Sequence, residues 1–257
     1  MASLPNFKGK IPVTIEADIL KGSFGKAVNK EVQKEYGNYK VINKVGYNPK
    51  TRQVEGSTPF YVTAVNQVIM PEGLRTSTVD DIKLIRQIKL LDLKGCYEDI
   101  ACVIRGLEGN NEYFAKKLME GKQKFPVTIN LSDLKLIKDD QSGYGLAFKL
   151  KDTAKIMQRD LAEYKGTSAL SRLYLGRNLD LGSYDCNLGN SNSGGRVVIV
   201  SGEATKNLDD SIIQKLKTEK ALNIYSPREI EKVLNNQGIV GSLQKQIIKA
   251  LEAYKQK

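Results

Sequence analysis

Two stretches of the chain hold side chains of the kind that grip a phosphate. The run YGNYKVINKVGYNPKTRQV, Tyr36 to Val54, carries Lys40, Lys44, Lys50 and Arg52 beside Tyr36, Tyr39 and Tyr47, with no acid. The run SRLYLGR places Arg172, Tyr174 and Arg177 close together. On a strand Arg172 and Tyr174 would share a face; on a helix Tyr174 and Arg177 would be neighbours. Either way one cation and one ring combine as phosphate contact and base stacking do in single-strand binders. Arg196, at the start of RVVIV, is a further phosphate candidate. The candidate nucleic-acid contacts are therefore Lys40, Lys44, Tyr47, Lys50, Arg52, Arg172, Tyr174, Arg177 and Arg196. Each has an ordinary alternative: SRLYLGR also reads as an amphipathic segment whose Leu170, Leu173 and Leu175 pack inside.

Catalytic chemistry is narrowly bounded. Histidine is absent, which excludes Ser-His-Asp and Cys-His nucleophile systems, histidine-ligated metals and histidine general bases. Cys96, Cys102 and Cys186 are too few and too irregular for a disulfide framework or a zinc site, and read as buried reduced thiols. GNSNSGGRVVIV holds a glycine-rich loop, but its glycines precede a strand and no G-K-[ST] follows, so a phosphate cradle is not indicated. The pairs Asp80-Asp81, Asp139-Asp140 and Asp209-Asp210 fall at expected helix starts or turns, where acids are favoured without a metal. Asp180 and Asp185 are the carboxylates kept as Mg2+ candidates. No catalytic residue, metal ligand or cofactor is assigned.

The charge balance is the main positive signal. The chain carries +11, from 31 Lys and 9 Arg against 29 acids. The excess sits toward the two ends, +5 over residues 1–55 and +3 over 197–257. A basic surface concentrates polyanions and speeds their encounter. The preference for Lys over Arg favours tracking of the backbone, because bidentate base reading uses Arg. A lysine-biased composition that merely keeps the protein in solution is the competing reading.

The elements that must position these residues read as follows. IPVTIEADIL alternates Val13, Ile15, Ala17 and Ile19 against polar neighbours, a half-buried strand. Val28, Val32 and Tyr36 mark one face of a helix over 26–36. YKVINKV (39–45) and PFYVTAVNQVIM (59–70) read as strands, with a turn at Asn48-Pro49 between them. On such a strand Tyr39 and Lys40 point oppositely, which weakens any shared surface. Thr78 followed by Asp81 opens a helix, YEDIACVIRGLEG shows helical spacing, and NEYFAKKLMEG follows as another helix. FPVTINLSDLKLI and YGLAFKL form a hairpin about KDDQSG. A helix is expected from Asp152 through TAKIMQRDLAEYKG, residues 167–195 stay unassigned, and RVVIV is a buried strand. Helices are expected at 207–222, 226–236 and 242–256.

These elements predict an α+β fold, a mixed or mainly antiparallel sheet with several packed helices and a helical C-terminal segment. Residues 1–202 form the α+β domain, with a possible internal boundary near 121–125, and 203–257 the helical segment. The expected function is non-catalytic nucleic-acid binding, DNA or RNA, through backbone contacts of low sequence specificity. A structural or assembly protein, such as a virion or filament subunit, and a Mg2+-dependent enzyme acting on a phosphorylated substrate are the alternatives. No apolar run approaches the ~18 residues of a membrane span, and Glu16 and Asp18 interrupt any signal-peptide pattern. No membrane partner, a cytoplasmic location and a possible homo-oligomer are the corresponding expectations.

Overall fold

In the computed structural model, residues 15–87, 90–119, 124–158 and 166–202 are described. The fold is α+β, and every strand pairing in its sheets is antiparallel. A three-stranded sheet is built from β1 (Ile15–Ile19), β12 (Val198–Gly202) and β4 (Leu74–Thr76), with β12 central. A five-stranded sheet runs in the order β11 (Leu181–Gly182), β10 (Leu170–Leu175), β5 (Glu98–Ile104), β6 (Val127–Asn130) and β9 (Ile156–Gln158). Two hairpins stand apart, β2 (Gly46–Asn48) with β3 (Gln53–Glu55), and β7 (Leu134–Asp139) with β8 (Gly145–Leu150).

The helices are α1 (Gly22–Tyr36), α2 (Lys40–Asn43), α3 (Pro59–Ile69), α4 (Val79–Gln87) and α5 (Glu112–Met119). Helix α1 buries Val28, Val32 and Tyr36 as its spacing predicts, and begins earlier than Lys26. Helix α4 starts on a reciprocal cap: the Asp81 N–H donates to Thr78 Oγ1 at 3.2 Å and the Thr78 N–H to Asp81 Oδ2 at 2.7 Å. Arg75 also binds the Asp81 carboxylate. That carboxylate thus caps the helix start, as expected for its acid pair. The β7–β8 hairpin turns through Asp140–Ser142, and β12 is the buried strand foreseen at RVVIV.

Four expectations are corrected. Residues 59–69 are helix, not strand. Thr58 accepts from the Tyr61 N–H at 3.0 Å and Pro59 occupies the first turn, a start signal that outweighs the β-branched composition. Burial on nearly all sides removes the polar stripe that would have shown a helical period. Residues 98–104 are strand, not helix: β5 lies between β10 and β6 and is buried along its whole length, so it too lacks a polar face. Residues 40–43 form a turn of helix rather than a strand. In the segment 152–165, residues 156–158 pair with β6 as an edge strand where a helix was expected, and the rest is partly outside the described residues.

The core has two apolar clusters. One gathers α1, α3, α5 and the β7–β8 hairpin around Phe60, Tyr61, Phe114 and Phe148, with Phe60 and Phe148 stacked at 4.5 Å. The other joins α4 to β5, β10 and β12 through Ile82, Ile85, Ile100, Leu173 and Val198. Strands β5 and β6, on either side of 121–125, are hydrogen-bonded neighbours in one sheet. Cys102 is wholly buried, and burial pushes its thiol up to about 12, the behaviour of a packing residue. The helices expected at 207–222, 226–236 and 242–256 lie outside the described residues. Among the described residues no helix is long and apolar enough to cross a membrane.

Candidate nucleic-acid interface

Two cavities flank one loop, residues 185–190. The larger, about 610 Å3, opens over β10 and is lined by Arg172, Tyr174, Arg177, Asp180 and Asp185, all singled out from sequence, and by Tyr184 and Asn192 among others. The smaller, about 410 Å3, is lined by Lys40, Lys44, Tyr39, Tyr144, Asn38 and Asn187. Cys186 and Asn190 of the loop face the first, Asn187 and Gly189 the second. The lining of the larger cavity mixes acids and cations. That of the smaller holds two lysines and no carboxylate.

Arg172 forms the floor of the larger cavity and is itself buried. Its Nε donates to Asp99 Oδ1 at 2.6 Å and Nη2 to Asp99 Oδ2 at 2.5 Å. The remaining N–H groups go to the carbonyls of Asn187 (3.3 Å), Asn190 (2.7 Å) and Ser57 (3.4 Å). A guanidinium has five N–H donors, and all five are spent inside the protein. The Tyr97 and Tyr174 rings each lie 5.8 Å from it. Burial works against its charge, but Asp99 more than offsets this and raises its pKa. Arg172 therefore pins the 187–190 loop to β10 and has no N–H left for a phosphate, a structural role in place of the contact predicted for it.

The other candidates divide clearly. Tyr174 sits half-buried in the larger cavity against the exposed Tyr184, ring centroids 5.8 Å apart at 76°. Burial, then Tyr184, raises its pKa, so it stays a neutral phenol. Arg177 is exposed at the same cavity and reaches Asn192 Oδ1 at 3.3 Å. Arg196 ties the 193–195 segment to the β2–β3 hairpin: it donates to Gln53 Oε1 at 2.8 Å and to the carbonyls of Ser193 and Gly195 at 2.6 Å, and approaches Glu55 at 3.8 Å. Tyr47, Lys50 and Arg52 lie on that hairpin and line neither cavity. Asp185 approaches Arg172 at 3.5 Å and accepts the Asn187 N–H at 2.8 Å. Among the described residues no group of three His, Cys, Asp or Glu is arranged to hold a metal ion.

The helical turn at 40–43 alters the geometry of the basic stretch. Lys40 and Lys44 are one turn apart and both enter the smaller cavity, instead of lying on a strand face opposite Tyr39. Lys44 Nζ donates to the Gly189 carbonyl at 3.1 Å, which leaves further ammonium hydrogens for a ligand. Tyr144 is braced from behind by Phe60, 5.1 Å away. Burial raises its pKa first, and Cys186 and Asp185 add to the rise.

Sequence reasoning missed Lys26, Lys30 and Lys34. They recur at i, i+4 and i+8, about 6 Å apart along α1, and all are exposed. That spacing was legible. Elements bearing the predicted cations are attached at both ends of this helix. The Gly22 N–H donates to the Arg52 carbonyl at 2.7 Å, and Gln33 donates to the Val45 carbonyl at 2.8 Å just beyond Lys44. Carboxylates are interspersed, with Glu31 3.5 Å from Lys34. The described residues hold 24 Lys and Arg against 19 Asp and Glu, a balance of +5, so more than half of the +11 lies outside them.

Beyond the 185–190 loop, the chain at Gly195 depends on a close backbone approach. Gly195 bridges Tyr97, and its carbonyl accepts the Gly56 N–H at 2.9 Å. A Cβ at Gly195 would meet the Gly56 carbonyl carbon and the Ser57 nitrogen at 2.5 Å, both backbone atoms that cannot swing away. Gly195→Ala is therefore expected to lower stability by about 1–3 kcal/mol, the range for forced overpacking, read as a fall in the denaturation midpoint. An unchanged midpoint would contradict this packing.

Compared with known protein families, curated proteins and solved structures, the chain matches none, so its functional reading rests on the geometry of these cavities.

Proposed function

We propose that the protein binds single-stranded nucleic acid, DNA or RNA, by contacting phosphates without reading sequence. The observation that carries this reading is the smaller cavity, where two lysines, two tyrosines and two asparagines converge with no carboxylate in the lining. Lysine ammonium groups attract phosphate as point charges, and ring faces accept any base. A concave cavity of about 410 Å3 suits a single nucleotide unit rather than a duplex. The lysine row on α1 and the basic hairpin tip with Lys50 and Arg52 add long-range attraction. The magnesium-enzyme alternative is not carried forward, because Asp185 is committed to Arg172 and the loop backbone.

The test is a salt series of oligonucleotide binding by fluorescence anisotropy. Affinity is expected to fall linearly in log–log form with added salt. Lys40→Ala/Lys44→Ala is expected to weaken binding and to flatten the slope by about 1.4, at about 0.7 for each single-strand phosphate that is no longer neutralised. Both lysines are exposed, so stability should stay within about 0.5 kcal/mol. No binding in dilute salt, or binding indifferent to salt, rejects the proposal.

A further inference from the structure

We infer that the larger cavity seats the ribose and base of a ribonucleotide, so that the protein prefers RNA to DNA. This rests on the nucleic-acid reading above and concerns the sugar, which that reading leaves open.

The lining of this cavity selects for hydrogen-bond donors rather than for phosphate. Its buried cation, Arg172, is already saturated by Asp99 and three backbone carbonyls. What remains toward the opening includes the exposed carboxylate of Asp180, the side-chain amides of Asn178 and Asn192, and Arg177 at the rim, while Asp185 is held by Arg172 and the Asn187 N–H. Carboxylates accept hydrogen bonds and repel phosphate oxygens. The part of a nucleotide that fits beside them must present hydroxyl or N–H groups. A 2′-hydroxyl is such a donor, and it is the group by which a protein distinguishes RNA from DNA.

The same cavity has a platform for the base. Tyr184 is 73% exposed, one of the two large apolar side chains left open on the described surface. Tyr174 supports it edge to face at 5.8 Å, holding the ring in place without covering it. A ring propped and exposed in this way offers a stacking face to an unpaired base. The volume, about 610 Å3, is within the range of small-ligand sites. The 185–190 loop then lies between base and ribose on one side and Lys40 and Lys44 on the other. The strand crosses the loop, with its sugar at Asp180 and a neighbouring phosphate at the lysines.

The test compares oligo(rU) with oligo(dU) of equal length, which differ only in the 2′-hydroxyl. Wild-type protein is expected to bind oligo(rU) about tenfold more tightly. Asp180→Ala is expected to bring the ratio close to one, with little change in affinity for oligo(dU). Tyr184→Ala is expected to weaken both ligands about tenfold and to leave their ratio unchanged, the signature of a missing stacking platform. Equal binding of the two oligomers by wild type overturns the inference while the nucleic-acid reading stands. A preference for oligo(rU) that survives Asp180→Ala overturns the assignment to this cavity. No binding of either oligomer in dilute salt overturns both readings.

Discussion

Arg172→Met is expected to cost about 3–5 kcal/mol of folding stability, the scale of breaking a buried ion pair from one side. Methionine replaces the aliphatic stem but supplies no N–H. Asp99, wholly buried, would keep only the Ser57 hydroxyl, at 2.8 Å, as a side-chain partner. The carbonyls of Asn187 and Asn190 would be left without this donor at the same time, so the 185–190 loop should also become less protected from hydrogen exchange. Urea denaturation at neutral pH measures the first effect. Arg177→Met is the control: its side chain is exposed, and a change within about 0.5 kcal/mol is expected. Equal destabilisation of the two variants would mean that Arg172 does not hold the loop as described.

Glu98→Gln is expected to stabilise the protein at neutral pH by about 1–3 kcal/mol, the scale of a mismatched buried polar group. Glu98 is 2% exposed, and its Oε1 accepts the Val198 N–H at 2.7 Å. Among the described residues its Oε2 and the Ser77 hydroxyl are both buried and make no hydrogen bond of full geometry, although Ser77 lies close enough to favour the charged carboxylate. The two residues flank the same point of β12, since the Ser77 N–H donates to the Val198 carbonyl at 3.0 Å. Burial pushes the Glu98 carboxyl well above its ordinary value, and the Val198 N–H and the nearby Ser77 hydroxyl lower it only in part. The folded protein thus holds this proton to higher pH than the unfolded chain does. The resulting stability is complete below the unfolded value near 4.5 and is lost as pH rises through the folded one. Glutamine keeps the neutral form at every pH. Its amide can still accept from Val198 and can donate toward Ser77. Denaturation midpoints of the two proteins should therefore coincide near pH 4 and separate as pH rises, with the variant more stable. Parallel midpoints from pH 4 to pH 8 would show that Glu98 has the same proton affinity folded and unfolded.

The correct and incorrect sequence expectations separate by the range of the interaction involved. The α4 start was legible because Thr78 and Asp81 exchange hydrogen bonds within three residues. The β7–β8 turn was legible for the same reason, as was the buried face of α1. Helix α3 and strand β5 were misread in opposite directions from equally apolar runs. Each is covered on both sides, and a segment with no polar face carries no readable period. Thr58 and Pro59 did contain the helix-start signal, but their apolar, β-branched successors read as strand.

Composition and local spacing alone determined the α+β class, the exclusion of histidine chemistry, the net charge and the membership of Arg172, Tyr174, Arg177, Asp180 and Asp185 in one short region. Tertiary structure decided which of those groups open onto a cavity with their polar atoms unspent and which are paired inside the protein. Arg172 and Arg177 look alike in sequence, yet the partner that buries the first, Asp99, lies 73 residues away on a neighbouring strand. Lys40 and Lys44 became a pair through a single turn of helix, and met Tyr144 and Asn187 through packing of distant segments. Charge is a property of residue type, whereas its availability depends on desolvation and pairing across the fold.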